Sequence, residues 1–367
     1  MMLYVGIIGL PNVGKSTLFN ALTNNNVLSA NYMFTTLEPN RGVVIINDPR
    51  LTALAEINKS KRVVPTSIEF VDIPGLVEGA SKGEGLGNQF LDSIRNVDAI
   101  CHVVRCFEDP NISHPYDLIN PLRDLETIEL ELNYADLESI ERRISRLEKK
   151  VTVGASSEER LEYQTIKKLK ENLEDEIPIR NIILTEDEVR IIKSYNFLSQ
   201  KPVLYLANVD EADLANLTTN KNYQKLLEYG LKNELKVIAI SAKLESDLQT
   251  FSAEEKQLFL EEIGITQSSL DELISASYEL LGLETFFSIV SDETRAWTFK
   301  KGMTARECAG LIHSDFMRGF IRAETVKFTD LVLCGSYQKC KEAGKVRLEG
   351  KDYLVQDGDI LLFRFNV

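Results

Sequence analysis

The run Gly9-Leu10-Pro11-Asn12-Val13-Gly14-Lys15-Ser16-Thr17 fits the pattern G-x-x-x-x-G-K-[ST], a spacing of residue types suited to gripping phosphate. The glycines let successive backbone N–H groups curl around phosphate oxygens, and the positive end of the following helix adds its field. Lys15 is placed to reach the β and γ phosphates and Ser16 to set its hydroxyl on Mg²⁺, with Asn12, Val13, Gly14 and Thr17 completing the cradle. The chain therefore reads as a nucleoside-triphosphate binder.

A second cluster of residue types extends that chemistry. Asp72-Ile73-Pro74-Gly75 is a D-x-x-G arrangement at the end of an apolar strand. There Asp72 is expected to hold Mg²⁺ through water, and the Gly75 N–H to face the γ-phosphate. Thr36, with Thr35 as the alternative, lies in a polar loop where a threonine detects that phosphate through the metal. Leu76 follows Gly75 at the place where Ras-like GTPases carry a water-orienting glutamine. An aliphatic side chain cannot orient water, so another group must. His114, in the loop after the fourth strand, is the candidate catalytic replacement, and an ordinary loop histidine is the alternative. His102 sits in an apolar strand and reads as buried, while His313 belongs to the C-terminal module. The five glycines from Gly75 to Gly87 make a loop that is costly to order, as a switch would be.

The base pocket is the discriminating part. Guanine readers carry N-K-x-D after the fifth strand, but here the run is Asn208-Val209-Asp210-Glu211. Each charge-assisted hydrogen bond lost by misplacing the carboxylate forfeits about 1.5–3 kcal/mol. Guanine selectivity is expected to be lost and adenine preferred, with Asn208, the backbone at Val209 and Glu211 at the base and Ser241-Ala242-Lys243 as the second wall.

These residues need a sheet to position them. Apolar runs at 3–8, 42–46, 68–72, 99–104, 202–208 and 236–241 alternate with helical stretches, which predicts an α/β fold, a P-loop NTPase sheet. Between the fourth and fifth of the sheet's helix-linked strands lies an insert over about 122–200. Leu130, Leu137, Ile144 and Val151 recur there every seven residues, with Ile140 and Leu147 three places after two of them. Gly154 to Ser157 breaks that helix, and Ser156 with Glu159 forms a capping-box pattern for a second one. The expectation is an antiparallel helical hairpin. It is either a structural arm or a contact for RNA or an acidic partner through the basic cluster Arg142, Arg143, Arg146, Lys149 and Lys150. Short strands at 297–299, 325–328, 353–355 and 359–365, interrupted by a helix near 304–312, predict a small α+β module over 281–367. The expected division is thus a nucleotide-binding domain over 1–280, carrying the hairpin, and a module over 281–367.

Composition excludes several classes. The 367 residues carry a net charge of −14, which argues against a generic polyanion binder held by long-range attraction. Five cysteines without a C-x-x-C pair and three histidines predict reduced thiols in a cytoplasmic protein. No signal segment or apolar run of membrane-spanning length is read from the sequence. A metabolic kinase would share the P-loop but would need an acceptor site, a lid and phosphate-poised arginines, none of which is identifiable. A nucleotide-gated binding protein with incidental hydrolysis is the other rival.

Taken together, the P-loop with Pro11-Asn12, the run Thr35-Thr36-Leu37-Glu38-Pro39-Asn40, Asp72 to Gly87, the hairpin, Asn208 to Glu211 and the C-terminal module resemble the YchF/Obg-like ATPase family over essentially the whole chain. The resemblance implies a G domain that prefers ATP to GTP, a coiled-coil insertion and a C-terminal TGS domain of β-grasp form. It also implies slow ATP hydrolysis and association with ribosomes, with stimulation by the large subunit. Leu76 matches the family's hydrophobic substitution, His114 its flexible-loop catalytic histidine, and Asn12 a P-loop asparagine that binds K⁺ in potassium-activated relatives. The resemblance favours Thr36 over Thr35 as the Mg²⁺ ligand.

Overall fold

The structure is a computed structural model that describes residues 3–27, 40–75, 86–116, 118–265, 268–290 and 292–366. Its strands are β1 (Tyr4–Ile8), β2 (Arg41–Ile45), β3 (Arg62–Val64), β4 (Ser67–Asp72), β5 (Ala99–Arg105), β6 (Val203–Asn208), β7 (Val237–Ile240), β8 (Leu283–Val290), β9 (Glu293–Lys300), β10 (Phe320–Lys327), β11 (Arg347–Glu349) and β12 (Asp359–Phe365). The helices that matter below are α1 (Lys15–Val27), α2 (Pro49–Asn58), α3 (Leu86–Arg95), α4 (Pro121–Gly154), α5 (Ser157–Glu174), α6 (Glu186–Ile192), α7 (Glu211–Leu214), α8 (Lys221–Lys232) and α9 (Ala242–Asp247). The chain divides into two compact units, one of Leu3–Gly42 with Phe70–Leu273, the other chiefly of Val43–Glu69 with Ile274–Val367.

In the first unit β1, β5, β6 and β7 run parallel in that order, with Ile7 beside Cys101, Cys101 beside Leu204 and Asn208 beside Ile240. Every residue of β5 and β6 is buried, as a parallel sheet covered on both faces requires. Because these strands are parallel, the loops that follow them leave one edge of the sheet. That edge gathers the P-loop, the 106–116 loop, Asn208–Glu211 and Ser241–Ala242.

The insert is the expected hairpin. Asn120 caps α4 through Arg123 N at 3.4 Å, Pro121 opens it, and the Ser156–Glu159 capping box opens α5. Ile140 and Leu147 are fully buried against Ile166, Leu169 and Leu173, with Ile192 and Phe197 closing the cluster. Leu130, Leu137, Ile144 and Val151 are only half-buried, so the three-residue offsets of the heptad pattern, not its main row, carry the seam. The buried Asp136 carboxylate anchors the returning chain, accepting from Leu198 N at 2.9 Å and from Ser199 N and Oγ at 2.7 Å each. The tip is less basic than its arginines suggested. Arg143 is bonded to Glu162 and Tyr195 and Lys150 to Glu159, and six acids balance six bases over residues 138–162.

In the second unit a mixed sheet runs in the order β11-β10-β12-β8-β9-β3. The helix Ala305–Ile312, capped by Thr304 and Glu307, buries Ala305, Cys308 and Ala309 against Phe286, Phe299, Leu361 and Phe363 of that sheet. Segment 43–69 corrects the expected boundary at 281. Its Leu51 and Leu54, on α2, fill a core with Phe287, Ala296, Val326 and Ile360, so the C-terminal unit takes in residues from early in the chain. Arg50 ties α2 down through Asp48 and both oxygens of Asp357, at 2.6 and 3.2 Å for the latter. Tyr353–Val355 is no strand; only a Thr304–Leu354 bridge forms there. Among the described residues, no helix is long and apolar enough to cross a membrane.

Candidate nucleotide site

The P-loop glycines are required by space as well as by dihedral angle. Gly9 has φ +153° and a Cβ there would meet Val103 O at 2.4 Å; Gly14 has φ +99° and a Cβ would meet Asn208 Nδ2 at 2.4 Å. Lys15 is buried, its ammonium held by Leu10 O at 2.7 Å, and burial lowers its pKa to about 8 against a smaller opposing pull from Asp72. A Cβ on Gly75 would lie 3.0 Å from Lys15 Nζ, so the D-x-x-G glycine backs onto the lysine.

Ser16 Oγ donates to Asp72 Oδ2 at 2.8 Å, while Asp72 Oδ1 is buried with no hydrogen-bond partner among the described residues. An orphaned carboxylate oxygen beside a serine hydroxyl is a donor set that fits a hard dication such as Mg²⁺. Among the described residues no group of three or more His, Cys, Asp or Glu side chains forms a separate metal site.

On the base side, Asn208 is buried and both ends of its amide are used: Nδ2 donates to Val13 O at 2.8 Å and Oδ1 accepts from Ala242 N at 3.0 Å. The Val209 N–H donates to Ile240 O at 2.9 Å. Asn208 thereby ties the P-loop to the Ser241–Ala242 turn, and Val209 ties the end of β6 to β7. Ser241 caps α9, accepting from Leu244 N at 3.4 Å. Glu211 opens α7 and is exposed, and Thr17 is exposed on α1. Burial raises the Asp210 pKa, reinforced by Asp213.

The loop after β5 meets the P-loop. Asn12, in a left-handed turn with φ 60°, donates from Nδ2 to Ser113 Oγ at 3.0 Å and Ser113 O at 3.3 Å. That leaves its amide oxygen as the end available to a cation such as K⁺. His114 follows Ser113, and its side chain is 5% exposed, with Nε2 2.9 Å from Asp124 Oδ2 on the first turn of α4. Its Nδ1 lies 3.0 Å from Tyr116 O and 3.1 Å from Tyr116 N, donating to the one or accepting from the other according to its tautomer. Arg123 bonds Asp124 Oδ1 at 2.8 Å and lies over the Tyr116 ring. His114 is thus held by its own loop and by the root of the hairpin.

Asp124 and Arg105, which shapes this loop, were not singled out in the sequence; an arginine closing an otherwise apolar strand was the available signal. His102 is buried as expected, and burial lowers its pKa to about 4. His313 caps the helix Ser314–Arg318 in the second unit. Thr35, Thr36 and the stretch Leu76 to Gly85 lie outside the described residues.

A parallel sheet whose first strand feeds a phosphate loop, with a D-x-x-G strand end poised beside the loop's serine, defines a P-loop NTPase of the G-domain class. A family model described as "50S ribosome-binding GTPase" matches residues 4–150, and the YchF GTPase C-terminal model, described as "Protein of unknown function (DUF933)", matches 283–366. The chain belongs to the YchF family. It is 54% identical over the full length of both chains to the "Ribosome-binding ATPase YchF" of Bacillus subtilis, and 48% identical to that of Escherichia coli O157:H7 over 99% of each. The structure of the Schizosaccharomyces pombe YchF GTPase is similar to it with TM-score 0.90 and 37% identity, covering 99% of this chain and 97% of that one.

Proposed function

We propose that this protein is a slow, Mg²⁺-dependent ATPase that prefers ATP to GTP and works as a ribosome-associated nucleotide switch in the cytoplasm. The observation that carries the reading is the trio Lys15, Ser16 and Asp72, with a buried ammonium beside a hydroxyl–carboxylate pair whose second oxygen lacks a hydrogen-bond partner among the described residues. Relatives named ribosome-binding ATPases over their full length support the nucleotide and the partner.

When bound, Mg²⁺ neutralises charge on the β and γ phosphates. The chain's own part is to bind and orient. Ser16, Asp72 and Thr36 are the residues to hold the metal, and Lys15 trades Leu10 O for phosphate oxygens. The N–H groups of Val13, Gly14, Lys15, Ser16 and Thr17 cradle the phosphates, and the Gly75 N–H meets the γ-phosphate. Adenine lies against the Asn208–Glu211 and Ser241–Ala242 segments, where Val209 and Glu211 replace the guanine-reading lysine and aspartate. Asn12 is the residue for K⁺. His114 substitutes for the missing glutamine and orients the attacking water, a role that requires its ring to leave Tyr116 or Asp124. The hairpin and C-terminal unit supply the ribosome-facing surface, with Arg146 and Lys149 among the exposed bases available for RNA at the tip.

Single-turnover hydrolysis of labelled ATP, with and without Mg²⁺ and purified large subunits, tests the reading. Metal-dependent cleavage that subunits accelerate and His114→Ala slows without loss of ATP affinity is the expected result. Undiminished turnover in that variant removes His114 from the mechanism.

A further inference from the structure

Arg105 closes β5 opposite Asn208 and is 1% exposed, yet among the described residues its guanidinium bonds to no carboxylate. It donates to four main-chain carbonyls of the next segment instead: Phe107 O from Nε at 3.3 Å, Asp109 O from Nη2 at 3.1 Å, and Ile112 O and Ser113 O from Nη1 at 3.1 and 3.3 Å. Its charge also lies 4.4 Å from the Phe107 ring centre. Burying a cation without a direct counter-ion is costly, and burial depresses the Arg105 pKa accordingly. An apolar residue would close an otherwise apolar strand at lower cost.

What the cation gains is a loop wrapped around it. The Ser113 carbonyl is shared, receiving Arg105 from one side and Asn12 of the P-loop from the other. The adjacent residue is His114. One fork of N–H groups therefore fixes both the joint between this loop and the P-loop and the point from which His114 projects.

We propose that Arg105 is the positioning residue of the hydrolytic step: it moulds residues 107–113 so that Ser113 docks on Asn12 and His114 is delivered beside the phosphate loop. This rests on the assignment of His114 above. Lysine cannot reproduce the planar fork, because it offers one ammonium in place of three differently aimed nitrogens. Displacing a reacting group by about 1 Å can cost on the order of 10²-fold in rate.

The test is a double-mutant cycle on the full-length chain, with kcat and ATP Kd measured for Arg105→Lys, His114→Ala and the pair. Arg105→Lys is expected to lower kcat about tenfold or more with ATP Kd held within about threefold, and to add little in the His114→Ala background, because residues acting as a unit are non-additive. Ser113→Ala, which cuts only the Oγ bond to Asn12, provides a milder second variant should lysine prevent folding, and its kcat loss is expected to be smaller and likewise absent without His114. A normal kcat in Arg105→Lys, or losses that multiply in full with that of His114→Ala, overturns the proposal. If His114→Ala alone hydrolyses ATP at the wild-type rate, it is the histidine assignment that fails, and the inference falls with it.

Discussion

His114 Nε2 stands 2.9 Å from Asp124 Oδ2, so the loop after β5 and the first turn of the hairpin meet in one buried polar contact. On the other side of the ring Nδ1 lies 3.0 Å from Tyr116 O and 3.1 Å from Tyr116 N. The orientation of a catalytic imidazole by a buried carboxylate is a familiar arrangement. Asp124→Asn should therefore lower kcat by about tenfold or more, within the range general acid–base groups contribute, while leaving ATP affinity unchanged. Pre-steady-state hydrolysis together with a direct binding titration separates the two quantities. A change confined to Kd would show that Asp124 serves the fold alone.

Lys15 predicts a pH dependence of binding. Burial places its pKa at about 8 in the nucleotide-free chain, and a triphosphate raises it again. Above about pH 8 binding must then take up a proton, and affinity falls by up to about tenfold per unit. Titration calorimetry at pH 9 in two buffers of different ionisation enthalpy measures that uptake. Equal heats in both buffers would contradict it.

Asn208 organises the pocket from behind. Replacing it with alanine leaves Val13 O and Ala242 N without partners and should cost about 2–4 kcal/mol of stability. ATP and GTP binding should weaken by the same factor, since the side chain ties Val13 to Ala242 through both ends of its amide. Denaturant unfolding and paired titrations measure the two effects. A loss for ATP alone would make Asn208 a base reader.

At the hairpin tip, Arg146 and Lys149 are exposed, whereas Arg143 is bonded to Glu162 and Tyr195. Arg146→Glu with Lys149→Glu should weaken cosedimentation with ribosomes, more so at low salt, and spare basal hydrolysis. Unchanged cosedimentation would leave the hairpin as a structural arm.

The C-terminal unit makes a folding prediction. A fragment over 281–367 lacks Leu51, Leu54 and the Arg50 clamp on Asp357. It should melt non-cooperatively or aggregate, and a chain that links 43–69 to 274–367 should fold. Circular dichroism and thermal melts of the two fragments decide it.

Local patterns were the legible part. Buried strands appear as apolar runs, the P-loop has a fixed spacing, and the Ser156–Glu159 box announces α5, because each is set by neighbours a few residues apart. Long-range partnerships were not legible. Nothing near Leu51 says that it packs on Phe287, and nothing near Asn208 says that its amide bonds to Val13 and Ala242. The same holds at the hairpin tip: counting Arg142 to Lys150 along α4 omits Glu159 and Glu162 on the facing helix, which pair with Lys150 and Arg143. Arg105 escaped because its partners are carbonyls, which every residue has.

On the proposed function, Val209 and Glu211 turn a G-domain pocket from guanine to adenine. Direct titration of the nucleotide-free protein with ATP and with GTP, both with Mg²⁺ at pH 7, tests it most simply. ATP is predicted to bind the more tightly; GTP binding more tightly than ATP would contradict the account.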